Sequence, residues 1–396
     1  MKKPHVIILV ENLPVPFDRR VWMEASTLQQ NGYRVSVICP ATKTYPKRKE
    51  VIDGILIYRY PGGLEGRSSI GTLLEYLWAV SWMFVLTLKI SIRTKVNVVH
   101  LCNPPDLLFI ASLPAKILRR SKIIFDQHDI CPELWESKGH KQTDFYGRLL
   151  TFFEKVTYTF SDVVISTNQS YKDIAMKRGA KKTGDVFIVR SAPKRDFASQ
   201  VKLKTRAPDQ AGKLVYLGTM GSQEGIDLLL SAVRILKEEL GRNLITLSLI
   251  GDGPERPYLE SMTAELALNT NVNFLGRVSD DILKKTVLDA DIAVNPDRPS
   301  KMNDLSSMNK IVEYMALGLP IVQFSCLEGE RTALDAGLSV KTNTARALAE
   351  TLHDLLSDET ARERMRVFGK SRFISDLAWE LQEETLLAAY SHVLQK

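Results

Sequence analysis

The chain has 396 residues, 44% of them hydrophobic and 25% charged, with 22 Gly and 17 Pro. That is about two to three usual domain lengths, enough for each half to bury its own core, and the composition excludes a disordered or fibrous polymer. The net charge of +7 is uneven: residues 1–200 hold 30 Lys and Arg against 18 Asp and Glu, residues 201–396 hold 23 against 28.

A basic first half suits an anionic phospholipid surface or a phosphorylated acceptor, and suits equally a plain solvated basic face; no nucleic-acid motif accompanies it. Cys39, Cys102, Cys131 and Cys326 form no C-x-x-C pair, which points to free thiols in a reducing, cytoplasmic setting rather than a zinc site or disulfide framework. The apolar run Val6–Val10 is too short for a signal-peptide core and reads as a first strand.

Short β-branched runs alternate with helical segments, the pattern of an α/β chain with parallel sheets. Strands are expected at His5–Val10, Arg34–Cys39, Ile55–Tyr60, Val96–Leu101, Lys122–Phe125, Val163–Ser166 and Val186–Val189. A linker follows at Ser191–Gln210, rich in Pro, Lys, Ala and Asp. A second series begins at Lys213–Gly218 and runs through Leu247–Ile250, Val272–Phe274, Ile292–Asn295 and Ile321–Phe324. From about Ala345 the chain is helical, and its last helix is placed to cross back onto the first domain.

Tyr76–Leu88 holds thirteen residues without a charge, including Trp78, Trp82 and Phe84. Crossing a bilayer takes about twenty, which leaves a core helix or an interfacial helix flanked by Lys89, Arg93 and Lys95. The basic surroundings favour the interfacial reading.

After the first strand there is no G-x-G-x-x-G, so a dinucleotide fingerprint is disfavoured. Asp18 is placed to cap the next helix, with Arg19 and Arg20 in its first turn. Cations there oppose the helix dipole, and an anion beside them would offset the cost; otherwise both are surface arginines. The fifth strand ends in Asp126, His128 and Asp129, with Glu133 beyond, at the carboxyl edge where open sheets place ligands. His128 there either addresses a sugar and its developing charge or caps a loop.

In the second half Gly218, Gly221 and Gly225 lead into a helix whose free N–H groups attract phosphate, and Gly251 opens the turn after the next strand. Ser307 or Asn309 is expected to cap a helix that Gly318 ends. Lys310 then falls in the first turn, a poor place for a cation unless a phosphate lies beside it, and Glu313 one turn on can accept from a ribose diol. A solvated helix face is the plain alternative for this pair.

These motifs resemble family 4 of the retaining glycosyltransferases. The stretches Ile250–Arg256 (IGDGPER), Val272–Arg277 (VNFLGR) and Glu313–Val322 (EYMALGLPIV) carry the resemblance in the second half, and Phe125–Asp129 (FDQHD) is similar to the family's T-x-H-D strand end, with Asp126 for Thr. The resemblance implies a GT-B fold, two Rossmann-like domains facing across a cleft. It implies an acceptor-binding domain over residues 1–195, with 377–396 packed back on it, and a nucleotide-sugar-binding domain over 205–376.

It further implies a ribose contact from Glu313 and a place for His128 near the donor sugar, with Asp129 and Lys310 joining it as catalytic residues. The family's first glutamate falls at Leu305, with Asp304 as a substitute, and its two diphosphate-neutralising cations fall at Thr219 and Glu224. Lys310, helped by Arg19, Arg20 and the backbone at Gly221 and Gly225, is the replacement, with Gly218, Gly251, Ser307 and Asn309 around the nucleotide. No metal and no cofactor is expected; the nucleotide sugar, UDP before GDP, is a substrate. The acceptor is expected to be lipid-linked or a growing surface glycan, met at the inner face of an anionic membrane. A nucleotide-sugar 2-epimerase and a partner protein that has lost its donor site are the rival readings.

Overall fold

The computed structural model describes residues 3–62, 69–198 and 212–396. The chain divides into two compact units, Met1–Ser191 with Gln382–Lys396, and Ala192–Leu381. Most of the linker expected at Ser191–Gln210 lies outside the described residues; its described start holds a short helix, Arg195–Ala198.

The first unit is built on eight strands: β1 (His5–Val10), β2 (Arg34–Pro40), β3 (Lys49–Ile52), β4 (Ile55–Tyr60), β5 (Val98–Cys102), β6 (Lys122–Gln127), β7 (Val163–Ser166) and β8 (Val186–Ile188). Their order is β3-β4-β2-β1-β5-β6-β7-β8, parallel except for the β3–β4 hairpin. Every residue of β1, β5 and β7 is buried, because helices cover both faces, and such strands read as unbroken apolar runs. The hairpin strand β3 was not expected. It is a short polar edge, turned by Asp53 and Gly54 at φ 49° and 80°, the left-handed pair a two-residue hairpin requires.

The second unit has six parallel strands, β9 (Lys213–Leu217), β10 (Thr246–Ile250), β11 (Val272–Gly276), β12 (Ile292–Asn295), β13 (Ile321–Phe324) and β14 (Gly337–Val340), in the order β11-β10-β9-β12-β13-β14. Only β14, four residues at the sheet edge, lacked a counterpart in the sequence reading. In each sheet the order reverses beside the first strand, at β1/β5 and at β9/β12, and the carboxyl ends there are where open α/β sheets open a crevice for ligands.

The apolar segment Tyr76–Leu88 belongs to a longer helix, Ser69–Arg93. Over Gly71–Arg93 it is long and apolar enough to cross a membrane, so the length argument from its charge-free core fails: Glu75, Lys89 and Arg93 lie within the same helix. One face, Ala79, Val80, Met83 and Ile90, is buried in the first unit's core. The opposite face exposes Leu74, Leu77, Trp78, Val85 and Ile92. The core reading thus describes one face, and the other is apolar and exposed.

Candidate functional site

In the first unit the site grows from the carboxyl end of β6. The helix Arg19–Gln30 is capped by Asp18, whose side chain accepts from Val21 N at 3.0 Å. Arg20, in its first turn, is buried and grips Asp126 with both arms, Nη2 to Oδ1 at 2.7 Å and Nε to Oδ2 at 3.1 Å. Its Nη1 donates to Val189 O at 2.9 Å and to Ser191 Oγ at 3.2 Å. The anion that offsets a cation at this helix start is therefore the chain's own Asp126. This corrects the expected role of Arg20 at a donor phosphate, since its donors are already engaged. Arg19 stays exposed on the same turn.

Around this pair sit Glu24, His100, Cys102 and His128. His128 Nε2 lies 2.5 Å from Asp126 Oδ2, and His100 Nε2 lies 3.4 Å from the same oxygen and 3.6 Å from Glu24. His100 Nδ1 meets the Tyr390 hydroxyl at 2.7 Å, so the C-terminal segment of the unit reaches the cluster through one histidine. Burial would raise the Asp126 carboxyl, but the Arg20 guanidinium and then His128 overcome it and hold it well below the usual range. Glu24 goes the other way: burial, then the Asp126 charge, push it well above. Burial also keeps His100 toward its neutral form.

Glu24, Cys102, Asp126 and His128 have ligand atoms within 4.8 Å of one another, the group among the described residues that could hold a metal ion. The Arg20 guanidinium already takes the place of a cation at Asp126, and burial pushes the Cys102 thiol well up, so the group is a poor fit to a resident metal.

The loop after β6 is held by Asn103, which follows β5. Its Oδ1 accepts from His128 N at 2.7 Å and Asp129 N at 3.2 Å. Its Nδ2 donates to Asp129 O and to Asp106 Oδ1, each at 2.8 Å. Asp129 is thereby fixed in a half-buried position, where loss of solvent raises its carboxyl above the ordinary value against the pull of His128 and Lys138.

In the second unit the β9/β12 switch point gathers Gly218, Gly221 and Gly225 after β9 and Asn295–Asp297 after β12. The glycines serve the chain before any ligand. A Cβ on Gly225 (φ 62°) would stand 2.1 Å from Pro296 O, and one on Gly251 (φ 128°) 1.8 Å from Gly218 O, so three strand-end loops touch backbone to backbone. Gly225 starts the helix Ile226–Glu238 with no side-chain cap, leaving its first N–H groups without a side-chain acceptor.

The helix Asn309–Ala316 begins at Met308, which makes no side-chain cap bond. The cap expected from Ser307 or Asn309 is thus corrected: Met308 holds the N-cap, and a thioether is a weak acceptor. Gly318, at φ 68°, closes the far end with its N–H on Met315 O at 3.0 Å. Lys310 stands in the first turn, as its position required. Its Nζ is 2.7 Å from Asp297 Oδ1, 3.5 Å from the Tyr216 hydroxyl, and 4.8 Å from the Tyr216 ring centroid.

Glu224 lies close by; burial, then Asp297, raise its carboxyl while Lys310 lowers it. Asn295, 1% exposed, has neither amide atom paired, an omission that costs about 1–3 kcal/mol unless something supplies partners. Glu313 is half-buried one turn beyond Lys310. Asp304 accepts from Leu327 N at 3.3 Å, and Leu305 ends a short helix, Lys301–Leu305.

Sequence reading missed Glu24, His100, Asn103, Tyr390, Tyr216 and Asp297. Two had a signal: Glu24 is four residues after Arg20, a helix-face ion pair, and Asp297 sits just past a strand end. The others meet the site across 25 residues or more and had none.

Two family descriptions match the chain, "Glycosyl transferase 4-like domain" over residues 18–186 and "Glycosyl transferases group 1" over residues 211–358. An uncharacterized glycosyltransferase of Methanocaldococcus jannaschii is 32% identical over 114 residues, 29% of this chain and 27% of that protein. A GDP-mannose-dependent monoacylated alpha-(1-6)-phosphatidylinositol monomannoside mannosyltransferase of Corynebacterium glutamicum is 27% identical over 143 residues, 35% of this chain and 37% of that one. The chain thus aligns with well under half the length of either relative. Among solved structures, Anabaena HepE in complex with UDP and glucose superposes with a TM-score of 0.71 at 13% identity, covering 98% of this chain and 100% of that one.

Proposed function

Since the chain belongs to the group 1, family 4 type glycosyl transferases of GT-B fold, we propose that it moves a sugar, with retention, from a nucleotide diphosphate onto a lipid-linked or polysaccharide acceptor. The donor is held by the second unit and is a UDP-sugar by preference; HepE, bound to UDP and glucose, supports that choice. The acceptor is held by the first unit, at the inner face of an anionic membrane. The acylated phosphatidylinositol acceptor named for the Corynebacterium relative supports a lipid-borne substrate.

The observation that carries this reading is the polar group at the second unit's switch point. Lys310 stands in an uncapped helix start, Gly225 opens a second uncapped start, and Asn295 is buried with no partner. An ammonium has three N–H donors, of which Asp297 takes one. A diphosphate takes another, together with backbone amides near Gly221 and Gly225, and Glu313 receives the ribose. Stabilising the leaving diphosphate is the main catalytic work in a transfer without a protein nucleophile, worth about 3–4 kcal/mol of barrier for one good contact. In the first unit His128, held by Asp126, is the proposed catalytic histidine, and Asp129 lies one residue further along the same loop. The site works without a metal ion.

The test is release of UDP or GDP from labelled nucleotide sugars by the full chain in the presence of a bacterial lipid extract. Acceptor-dependent release supports the reading. A catalytically silent family member is the second reading, favoured by Asp297 and Glu224, two carboxylates beside Lys310; nucleotide binding with no release from any donor would select it.

A further inference from the structure

The first unit contains a cavity of about 360 Å³ that the cluster around Asp126 does not use. This is within the usual range of about 300–1,000 Å³ for small-molecule sites. Its walls are mostly apolar: Leu73 and Tyr76 from the helix Ser69–Arg93, Leu134 and Trp135 from the helix Cys131–Ser137, Leu149 and Phe153 from the helix Phe145–Phe160. Lys138 and His140 also line it and are exposed to solvent, so they mark its mouth. The His140 ring stacks on Trp135 with centroids 3.7 Å apart.

Two features say what fills it. The helices that form its walls also turn apolar side chains to solvent, Leu74, Leu77, Trp78 and Val85 from one, Phe145 and Phe152 from the other. The cavity therefore lies beneath an apolar surface, and exposed Lys89, Arg93 and Lys95 flank that surface with positive charge. Its floor is the second feature. Asp106 and Cys131 line it, and Asn103, bonded to Asp106, holds the backbone of His128 and Asp129. One residue separates the cavity from the loop that bears the proposed catalytic histidine.

We infer that this cavity binds the hydrocarbon next to the phosphate of a lipid phosphate acceptor, with Lys138 and His140 meeting the phosphate. Resting on the transferase reading, this places the acceptor's lipid in the first unit. Apolar burial supplies the affinity, the Lys138 ammonium and an N–H of the His140 ring supply the register, and a ligand of either half alone binds weakly.

The experiment is calorimetric titration of the full chain with monomeric farnesyl phosphate, farnesol and inorganic phosphate. Farnesyl phosphate is expected to bind at least tenfold tighter than either. Leu149→Trp, which fills the cavity, is expected to weaken it tenfold or more, and the exposed pair Lys138→Ala/His140→Ala threefold or more. UDP binding, measured in the same samples, is expected to be unchanged in both variants, which separates failure of this site from failure of the donor site. Farnesol binding as tightly as farnesyl phosphate, or full farnesyl phosphate affinity in the double alanine variant, overturns the inference. So does full affinity in a folded Leu149→Trp.

Discussion

Asp126 Oδ2 lies 2.5 Å from His128 Nε2 while both Asp126 oxygens are held by Arg20. Arg20 Nε also reaches His128 Nε2, at 3.0 Å, so the arginine and the carboxylate together fix the orientation of the ring. The pairing joins a first-turn arginine to a strand end 106 residues away, and it replaces the Thr of the family's strand with a carboxylate that needs that arginine.

Asp126→Asn is expected to lower turnover about a hundredfold, as the histidine loses the carboxylate that positions its ring. It removes the carboxylate that both arms of buried Arg20 grip and leaves Glu24 as the remaining carboxyl beside the guanidinium, at a cost of about 3 kcal/mol in unfolding free energy. Arg20→Met combined with Asp126→Thr is expected to be more stable than Asp126→Thr alone. Denaturant unfolding of the natural chain, Arg20→Met, Asp126→Thr and the double variant checks the coupling, and strict additivity would speak against it.

Tyr390→Phe removes the hydroxyl that meets His100 Nδ1 and leaves that atom buried without a partner. A loss of about 1–2 kcal/mol is expected, with nucleotide affinity unchanged. Denaturant melts beside UDP titrations measure both.

Glu11, just past β1, is pushed by burial and then by the Glu75 charge from 4.5 to about 7. A carboxyl raised on folding stabilises the fold below its unfolded value and loses that contribution as pH rises through the folded one. Glu11→Gln is therefore expected to match the natural chain at pH 4 and to exceed it by about 2 kcal/mol at pH 8.5. Unfolding curves at the two pH values decide it; a larger gap at pH 4 would reverse the sign.

Sugar transfer is expected to continue in excess chelator, because Arg20 already neutralises Asp126 in the group best able to take a metal. Activity lost to EDTA and restored by a divalent ion would oppose this.

The sheets were legible where strands carry mostly apolar runs: β1, β4, β7, β12 and β13 have the bounds those runs suggest. The edge strand β3 was not, since Lys49 and Glu50 break the run, although Asp53 and Gly54 carried the turn signal. The helix start at Met308 escaped because capping preference is weak beside tertiary packing; Met308 is buried in the second unit's core. Lys310 was found by its odd position on a helix, a local signal. The arginine clamp on Asp126 joins residues 106 apart, a chain crossing that no local pattern records.

The most direct measurement is titration of UDP into the natural chain and into Lys310→Ala by calorimetry. The account predicts binding in the natural chain and a loss of tenfold or more in the variant, about 1.4 kcal/mol. Equal affinity in the two, or no nucleotide diphosphate bound by the natural chain, would contradict it.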